Sequence, residues 1–140
     1  MKRITAFALF TLTSLFTAGN ALALDHALQA NVPFDFTISG KTLPAGTYTI
    51  TSVSSNVIQI RSRDGHYTVF TTTFADGKHA TGGGKLVFDK YGERYFLSEV
   101  LCPSAEMSLA IPTSKLEKSV RMEEARLHSN GGTHALVAAK

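Results

Sequence analysis

The chain has 140 residues, of which 44% are hydrophobic and 18% are charged, a composition typical of a single globular domain. Its 14 basic and 11 acidic residues give a formal net charge of +3. The arginines form no cluster that would follow a phosphate backbone, so we expect no nucleic-acid partner.

The N-terminal segment has the layout of a secretory signal peptide. Two basic residues precede an apolar run of 15 residues, and Ala21 and Ala23 are the small residues that signal peptidase requires. The run is shorter than the roughly 20 residues of a membrane-spanning helix, so we expect no permanent membrane anchor. We predict a signal peptide over residues 1–23, a mature chain that begins at Leu24, and a periplasmic or extracellular location. Since two of the 14 basic residues lie in the signal peptide, the mature chain keeps 12 basic and 11 acidic residues, a net charge of +1.

The residues after the signal peptide predict short strands. Residues 32–38 alternate apolar and polar side chains, which is typical of a half-buried strand, and Pro33 places this strand at a sheet edge or marks its start. Residues 43–46 have the composition of a tight turn and lead into a second alternating strand at residues 47–51.

An Asp-Gly pair predicts the next hairpin. Asp64-Gly65 is a preferred two-residue turn, and it places Ile60 opposite Val69. This register gives the hairpin one apolar face and one mostly polar face.

A third hairpin has Tyr91-Gly92 as its expected turn. With this turn Asp89 lies opposite Arg94 and Phe88 lies opposite Tyr95, so that opposite charges meet across the strands. Both faces of the hairpin carry apolar residues, which predicts a central position covered on both sides.

One helix is expected near the C-terminus. Ser114 and Glu117 match a capping box, which predicts a helix over about residues 115–128. A narrow apolar stripe on this helix consists of Leu116, Val120 and Leu127.

These elements define the predicted fold class. We expect a mainly β protein, either a small antiparallel β-sandwich or a partly closed barrel of six to seven strands, with one C-terminal helix. Residues 24–128 form a single domain in this interpretation, and residues 129–140 form a disordered tail.

Searching the sequence for reactive groups leads us to expect no catalytic residue, no metal site and no cofactor. A Gly-x-Ser-x-Gly motif is absent, and none of the five histidines has metal-ligand spacing: His26, His66, His79, His128 and His134. The single cysteine, Cys102, follows two apolar residues, which favours a buried thiol in a monomer. The alternative is an intermolecular disulfide that joins two copies.

Three blocks of sequence resemble a family of small exported β-rich bacterial proteins of unknown function. They are Val-Pro-Phe-Asp-Phe at residues 32–36, Leu-Pro-Ala-Gly-Thr-Tyr-Thr at 43–49, and the KLVFxxYGxRYFLS block at 85–98. The resemblance implies an exported β-rich fold and carries over no catalytic residues.

Three functions remain open at this point. The first is an exported non-catalytic β-domain with a binding or structural role, whose partner is an unknown protein or matrix of the envelope or the extracellular space; the export signal and a sheet edge at Pro33 motivate it. The second is a carrier of a small apolar ligand in a barrel cavity, and the third, resting on compartment alone, is a hydrolase. Five aromatic residues are candidates for the cavity lining, although we favour a core role for them: Phe34, Phe36, Tyr48, Phe88 and Tyr95.

Overall fold

Eleven strands and one helix make up the part of the chain that the computed structural model describes, namely residues 27–77, 82–102, 107–127 and 133–140. The predicted signal peptide, with Ala21, Ala23 and Leu24, lies outside these residues. Within them, no helix has the length and apolar character needed to cross a membrane.

The elements follow one another in a nearly all-β order. They are β1 (Leu28–Val32), β2 (Phe36–Ile38), β3 (Lys41–Leu43), β4 (Gly46–Ser54), β5 (Val57–Ser62), β6 (Thr68–Thr72), β7 (Phe74–Ala75), β8 (Lys85–Tyr91), β9 (Arg94–Cys102), β10 (Met107–Ala110), α1 (Lys115–Leu127) and β11 (Thr133–Ala138).

Two sheets form the body of the protein. The four-stranded sheet has the spatial order β1-β4-β5-β6 and is antiparallel throughout. The second sheet has the order β11-β8-β9-β10-β7, and β2 joins it by pairing with β3 and, in parallel, with β9. The described residues hold more strands than predicted because one expected strand is divided between β1 and β2, and because short strands such as β3, β7 and β11 were not predicted.

The two sheets are joined along one side by the end of the chain. The backbone N–H of Gln29 donates to the carbonyl of Lys140 over 2.7 Å, and the N–H of Lys140 donates back over 2.8 Å. Ala139 bridges to Ala30 and donates its N–H to the carbonyl of Gly84. The sheets therefore curl into a partly closed barrel, and the predicted mainly β class with one late helix is confirmed.

The core lies between the two sheets. Alternate residues of the four-stranded sheet point into it: Leu28, Ala30, Val32, Tyr48, Ile50, Ile58, Ile60 and Val69. From the second sheet they meet Phe36, Ile38, Leu43, Leu86, Phe88, Leu97, Val100, Leu109 and Val137. Removing this apolar surface from water is the main stabilising contribution to the fold.

The predicted strand over residues 32–38 is wrong as a single element. Pro33 lies between β1 and β2, which belong to different sheets, because a residue without an N–H cannot continue a ladder of hydrogen bonds. A hairpin turn that the sequence interpretation missed, Ser39-Gly40, joins β2 to β3; both residues have positive φ, at 49° and 82°. The edge expected at Pro33 is not free either, since Ala139 bridges to β1.

The β8–β9 hairpin has the predicted faces but a different register. Tyr91 pairs with Arg94, and Phe88 lies opposite Leu97, so the turn is Gly92-Glu93. Tyr91 is buried in this register, whereas the expected turn would place it at the tip. Burial of the Tyr91 ring stabilises the fold more than two exposed ion pairs would, because each exposed ion pair contributes little to the free energy of unfolding.

A small apolar cluster holds α1 against the outer side of the second sheet. Val120 packs on Tyr91 and Phe96, whose ring centroids are 5.9 Å apart. This contact supplies the cover that the two apolar faces of the hairpin predicted.

The predicted helix is confirmed in place and in its start, but not in its buried face. The backbone N–H of Glu117 donates to Ser114 Oγ over 3.1 Å, as a capping box requires. Leu116 and Leu127 of the predicted stripe are exposed, while Glu117 is buried. The helix thus turns a carboxyl group toward the sheet beside Val120.

The predicted disordered tail is wrong over most of its length. Thr133–Ala138 form β11, which pairs with all of β8 except Tyr91. Val137 enters the core, so tertiary burial orders a segment whose local sequence carries no strong strand signal.

Candidate functional site

The five aromatic residues singled out in the sequence do come together. Phe36 makes edge-to-face contacts with Tyr48 and Phe88, at centroid distances of 5.2 and 5.4 Å. Phe34 contacts Phe88 edge-on at 5.2 Å and stacks on Tyr95 at 3.9 Å. The rings thus form one continuous row from the interior to the surface.

Contacts within this row fill the space between the sheets with ring against ring. Tyr48, Phe36 and Phe88 are almost fully buried, and the hydroxyl of Tyr48 donates to the carbonyl of Pro44 over 2.6 Å. Burial, with smaller contributions from Asp64 and other neighbours, raises the pKa of Tyr48 to about 12, so this hydroxyl stays protonated. The arrangement favours the core role of the five residues over the cavity lining.

Lys90 caps the exposed end of the row. Its Nζ lies 5.3 Å from the centroid of the Tyr95 ring, which is the geometry of a cation–π contact. Since Lys90 and Tyr95 pair across β8 and β9, the observed register places this cation over the ring.

Two adjoining recesses lie where β4 begins and β5 ends. The first has a volume of about 310 Å³ and is lined by residues 44–48 and 62–64 with Tyr67. The second, of about 250 Å³, is lined by Gln29, Asn31, Thr47, Arg63, Ala138 and Lys140. Thr47 and Arg63 line both recesses, and we call the pair the Arg63 groove.

Hydrogen bonds fix the shape of this groove. Arg63 donates its backbone N–H to the carbonyl of Thr47 over 2.9 Å, which ties the hairpin end to β4. Ser62 Oγ donates to Asp64 Oδ1 over 2.5 Å and accepts the N–H of Tyr67 over 2.9 Å. The Ser62 bond, followed by one from the backbone of His66, lowers the pKa of Asp64, which keeps this exposed carboxylate ionised.

The groove presents chemically varied groups to solvent. Tyr67 is exposed, Arg63 and Asp64 supply opposite charges, and Gln29 and Asn31 supply amides at the far end. Tyrosine and arginine are the residue types that most often dominate binding energy at interfaces. The sequence interpretation found the turn at Asp64 but missed the groove, because no local signal shows that β4 and the chain end pack beside that turn.

A second polar cluster lies on the outer side of the second sheet. His134 Nδ1 is 2.8 Å from Asp89 Oδ1, and Ser98 Oγ donates to the same oxygen over 3.2 Å and to the carbonyl of Val87 over 3.1 Å. Asp89 accepts from both groups, so the serine hydroxyl is bonded to the carboxylate rather than to the imidazole. A serine–histidine pair for nucleophilic attack is not assembled by these contacts.

Glu117 lies near this cluster under α1. Burial, followed by the negative charge of Asp89, raises the pKa of Glu117, while the backbone of Ser114 and the charge of Arg121 lower it by less. Among the described residues, no group of three histidine, cysteine or acidic side chains has the arrangement of a metal site.

Two of the five histidines fall within the described residues. His66 lies in the β5–β6 turn and His134 bonds Asp89, whereas His26, His79 and His128 lie outside the described ranges. Cys102, at the end of β9, is buried, as its position after two apolar residues predicts.

No family model matches the chain, and no curated protein or solved structure is significantly similar to it.

Proposed function

We propose that this chain is an exported, non-catalytic binding domain that holds an extended partner from the cell envelope or the extracellular matrix in the Arg63 groove. The observation that carries the proposal is the junction of two recesses at Thr47 and Arg63. An elongated groove with polar groups at both ends suits a chain-like ligand better than a compact one.

The rigidity of the groove supports a binding role. Arg63, Asp64 and Tyr67 belong to a turn that is fixed by backbone and side-chain hydrogen bonds, so little conformational entropy is lost when a partner docks. Tyr67 offers a flat aromatic ring together with a hydroxyl group, and Arg63 offers a planar donor array.

Contacts among the aromatic residues weigh against the carrier hypothesis. Phe36 and Phe88, which would line a barrel cavity, instead make edge-to-face contacts with each other and with neighbouring rings. A carrier would need these rings to separate around its ligand, at the cost of their mutual contacts. The groove needs no such rearrangement.

Two groove variants test the proposal. The chain is expressed with its leader, recovered after natural processing, and incubated with purified peptidoglycan, with outer-surface polysaccharide and with envelope membranes in separate co-sedimentation assays. One fraction is expected to retain the wild type. Arg63→Ala and Tyr67→Ala should each weaken that retention about 10-fold or more, as expected for a residue that dominates an interface.

Val53→Ala serves as the control, because Val53 is an exposed residue of β4 beyond the groove. It should bind like the wild type. Retention by none of the three fractions, or equal retention of all four proteins, contradicts a binding role for the groove.

A further inference from the structure

The outer edge of the four-stranded sheet is formed by β6. Among the described residues this strand pairs with β5 alone, and it is the last strand in the order of its sheet. Its central residue, Phe70, is 58% exposed, and the exposed rings of Tyr67 and Phe74 flank the strand at its two ends. Exposed apolar groups concentrated at one sheet edge are typical of a contact surface.

Register determines where the backbone groups of β6 point. The N–H of Ser62 donates to the carbonyl of Tyr67, and the N–H of Thr73 donates to the carbonyl of Asn56. Hydrogen-bonded and non-bonded pairs alternate in an antiparallel ladder, so Val69 and Thr71 also bond β5. The backbone N–H and C=O groups of three residues therefore point away from the sheet, along the free edge: Thr68, Phe70 and Thr72.

Three other sheet edges carry features that oppose pairing with a further strand. β3 has three residues and contains Lys41, and β7 has two residues. β1 is bridged by Ala139 at the end of the chain. The five residues of β6 include no charge, no proline and no bulge, which are the usual means of protecting an edge.

We propose that β6 is a dimerisation edge, on which a second copy of this chain pairs antiparallel about a two-fold axis at Phe70. The two four-stranded sheets then become one continuous eight-stranded sheet. This interface adjoins the Arg63 groove at Tyr67 but does not depend on the function of the groove.

The strand is complementary to itself in this arrangement. Thr68 lies opposite Thr72 of the second copy, Phe70 lies opposite its own counterpart, and Val69 lies opposite Thr71. Thr68, Phe70 and Thr72, whose backbone groups point along the free edge, fall in hydrogen-bonded pairs. Each such pair exchanges two hydrogen bonds, so about six backbone hydrogen bonds join the two copies. The Phe70 rings meet as a cross-strand aromatic pair, and no like charges oppose each other.

Sedimentation velocity of the chain, recovered after natural processing and measured over a wide range of concentrations, tests the proposal. The wild type is expected to form a reversible dimer that is insensitive to reducing agent. Phe70→Lys sets two cations against each other on the axis and should raise the dimer dissociation constant about 100-fold. Val53→Lys is the matched control, since Val53 is 56% exposed on the same sheet, and it should leave the constant unchanged.

Two further measurements keep the result independent of any folding defect in Phe70→Lys. Amide hydrogen exchange at Thr68, Phe70 and Thr72 should slow as the wild-type concentration rises. Phe70→Cys should cross-link with itself under mild oxidation much faster than Val53→Cys, because residues facing each other across strands lie within disulfide distance.

Three outcomes overturn the proposal. The first is a wild type that stays monomeric at every concentration while Phe70→Cys and Val53→Cys cross-link equally slowly. The second is a dimer that survives Phe70→Lys, which moves the interface to another surface. The third is a dimer that dissociates on reduction, which assigns it to Cys102 instead.

Discussion

Nδ1 of His134 lies 2.8 Å from Oδ1 of Asp89, and this contact joins the last strand, β11, to β8. Asp89 also influences α1 on the same side of the sheet, because its charge is the second cause of the raised pKa of Glu117 after burial. A short stretch of β8 thus couples the chain end to the helix.

Glu117 gives the protein a pH-dependent stability. Because its folded pKa lies above the unfolded value of about 4.5, the stabilising contribution is fully present below that pH and is lost as the pH rises through the folded pKa. Glu117→Gln should therefore unfold at a higher temperature than the wild type at neutral pH, with the difference vanishing in acid. Glutamine also preserves the capping box. Thermal unfolding followed by circular dichroism across pH measures this, with Glu123→Gln, an exposed carboxyl on α1, as the control.

Asp89→Asn tests the coupling between these two acids. The amide oxygen still accepts from Ser98 and from His134, but the negative charge is gone. The pKa of Glu117 should therefore fall toward its ordinary value, although burial still holds it above that value. An NMR titration of the Glu117 carboxyl carbon gives the shift, and an unchanged midpoint would show that Asp89 exerts no electrostatic effect on this group.

Core and surface phenylalanines should respond very differently to truncation. Phe88 is fully buried among Phe34, Phe36 and the aliphatic core, so Phe88→Ala should lower the free energy of unfolding by about 3–5 kcal/mol. Phe70→Ala, on the outer side of β6, should change it by about 0.5 kcal/mol or less in dilute protein. Urea denaturation compares the two, and similar losses would contradict the assigned faces.

The ordered C-terminal strand makes a prediction at two adjacent positions. Val137 is 9% exposed and faces the core, whereas Leu136 is 65% exposed. Val137→Ala should cost about 1–3 kcal/mol and Leu136→Ala about 0.5 kcal/mol or less, because only the first loses buried apolar surface. If both variants unfold at the wild-type urea concentration, the segment does not contribute to the fold.

Processing of the leader is the fifth prediction. The intact mass of the protein recovered from the export compartment should correspond to residues 24–140, with Leu24 at the N-terminus. Ala23→Lys should block cleavage, since signal peptidase needs a small residue there, while Leu22→Phe should be processed normally. A recovered chain that still begins at Met1 contradicts the predicted signal peptide.

The sequence predicted the fold best where a turn is encoded locally. Asp64-Gly65 placed Ile60 opposite Val69, and the structure has this pair. The β8–β9 register could not be predicted in the same way, because it depends on burying Tyr91 beneath a helix that lies about 30 residues further along the chain. The order of β11 likewise depends on β8 and β1, which no property of residues 133–138 indicates on its own.

In the candidate site, too, local features could be predicted from the sequence, whereas contacts between distant segments could not. The five aromatic residues could be named from the sequence, and they do contact one another. The individual ring pairs could not be predicted, because they depend on the chain passing from one sheet to the other between β1 and β2. The Arg63 groove joins residues from four separate parts of the chain. Its walls exist only after folding, so no motif represents it.

The pairing of Gln29 with Lys140 has a consequence for how the protein reaches its final location. These residues are far apart in the sequence, so the seam between the two sheets closes only after the whole stretch between them has been synthesised. A nascent chain that lacks Lys140 therefore cannot complete this seam. In a chain exported as proposed above, late closure of this seam would keep the polypeptide unfolded enough to pass through a narrow translocation channel.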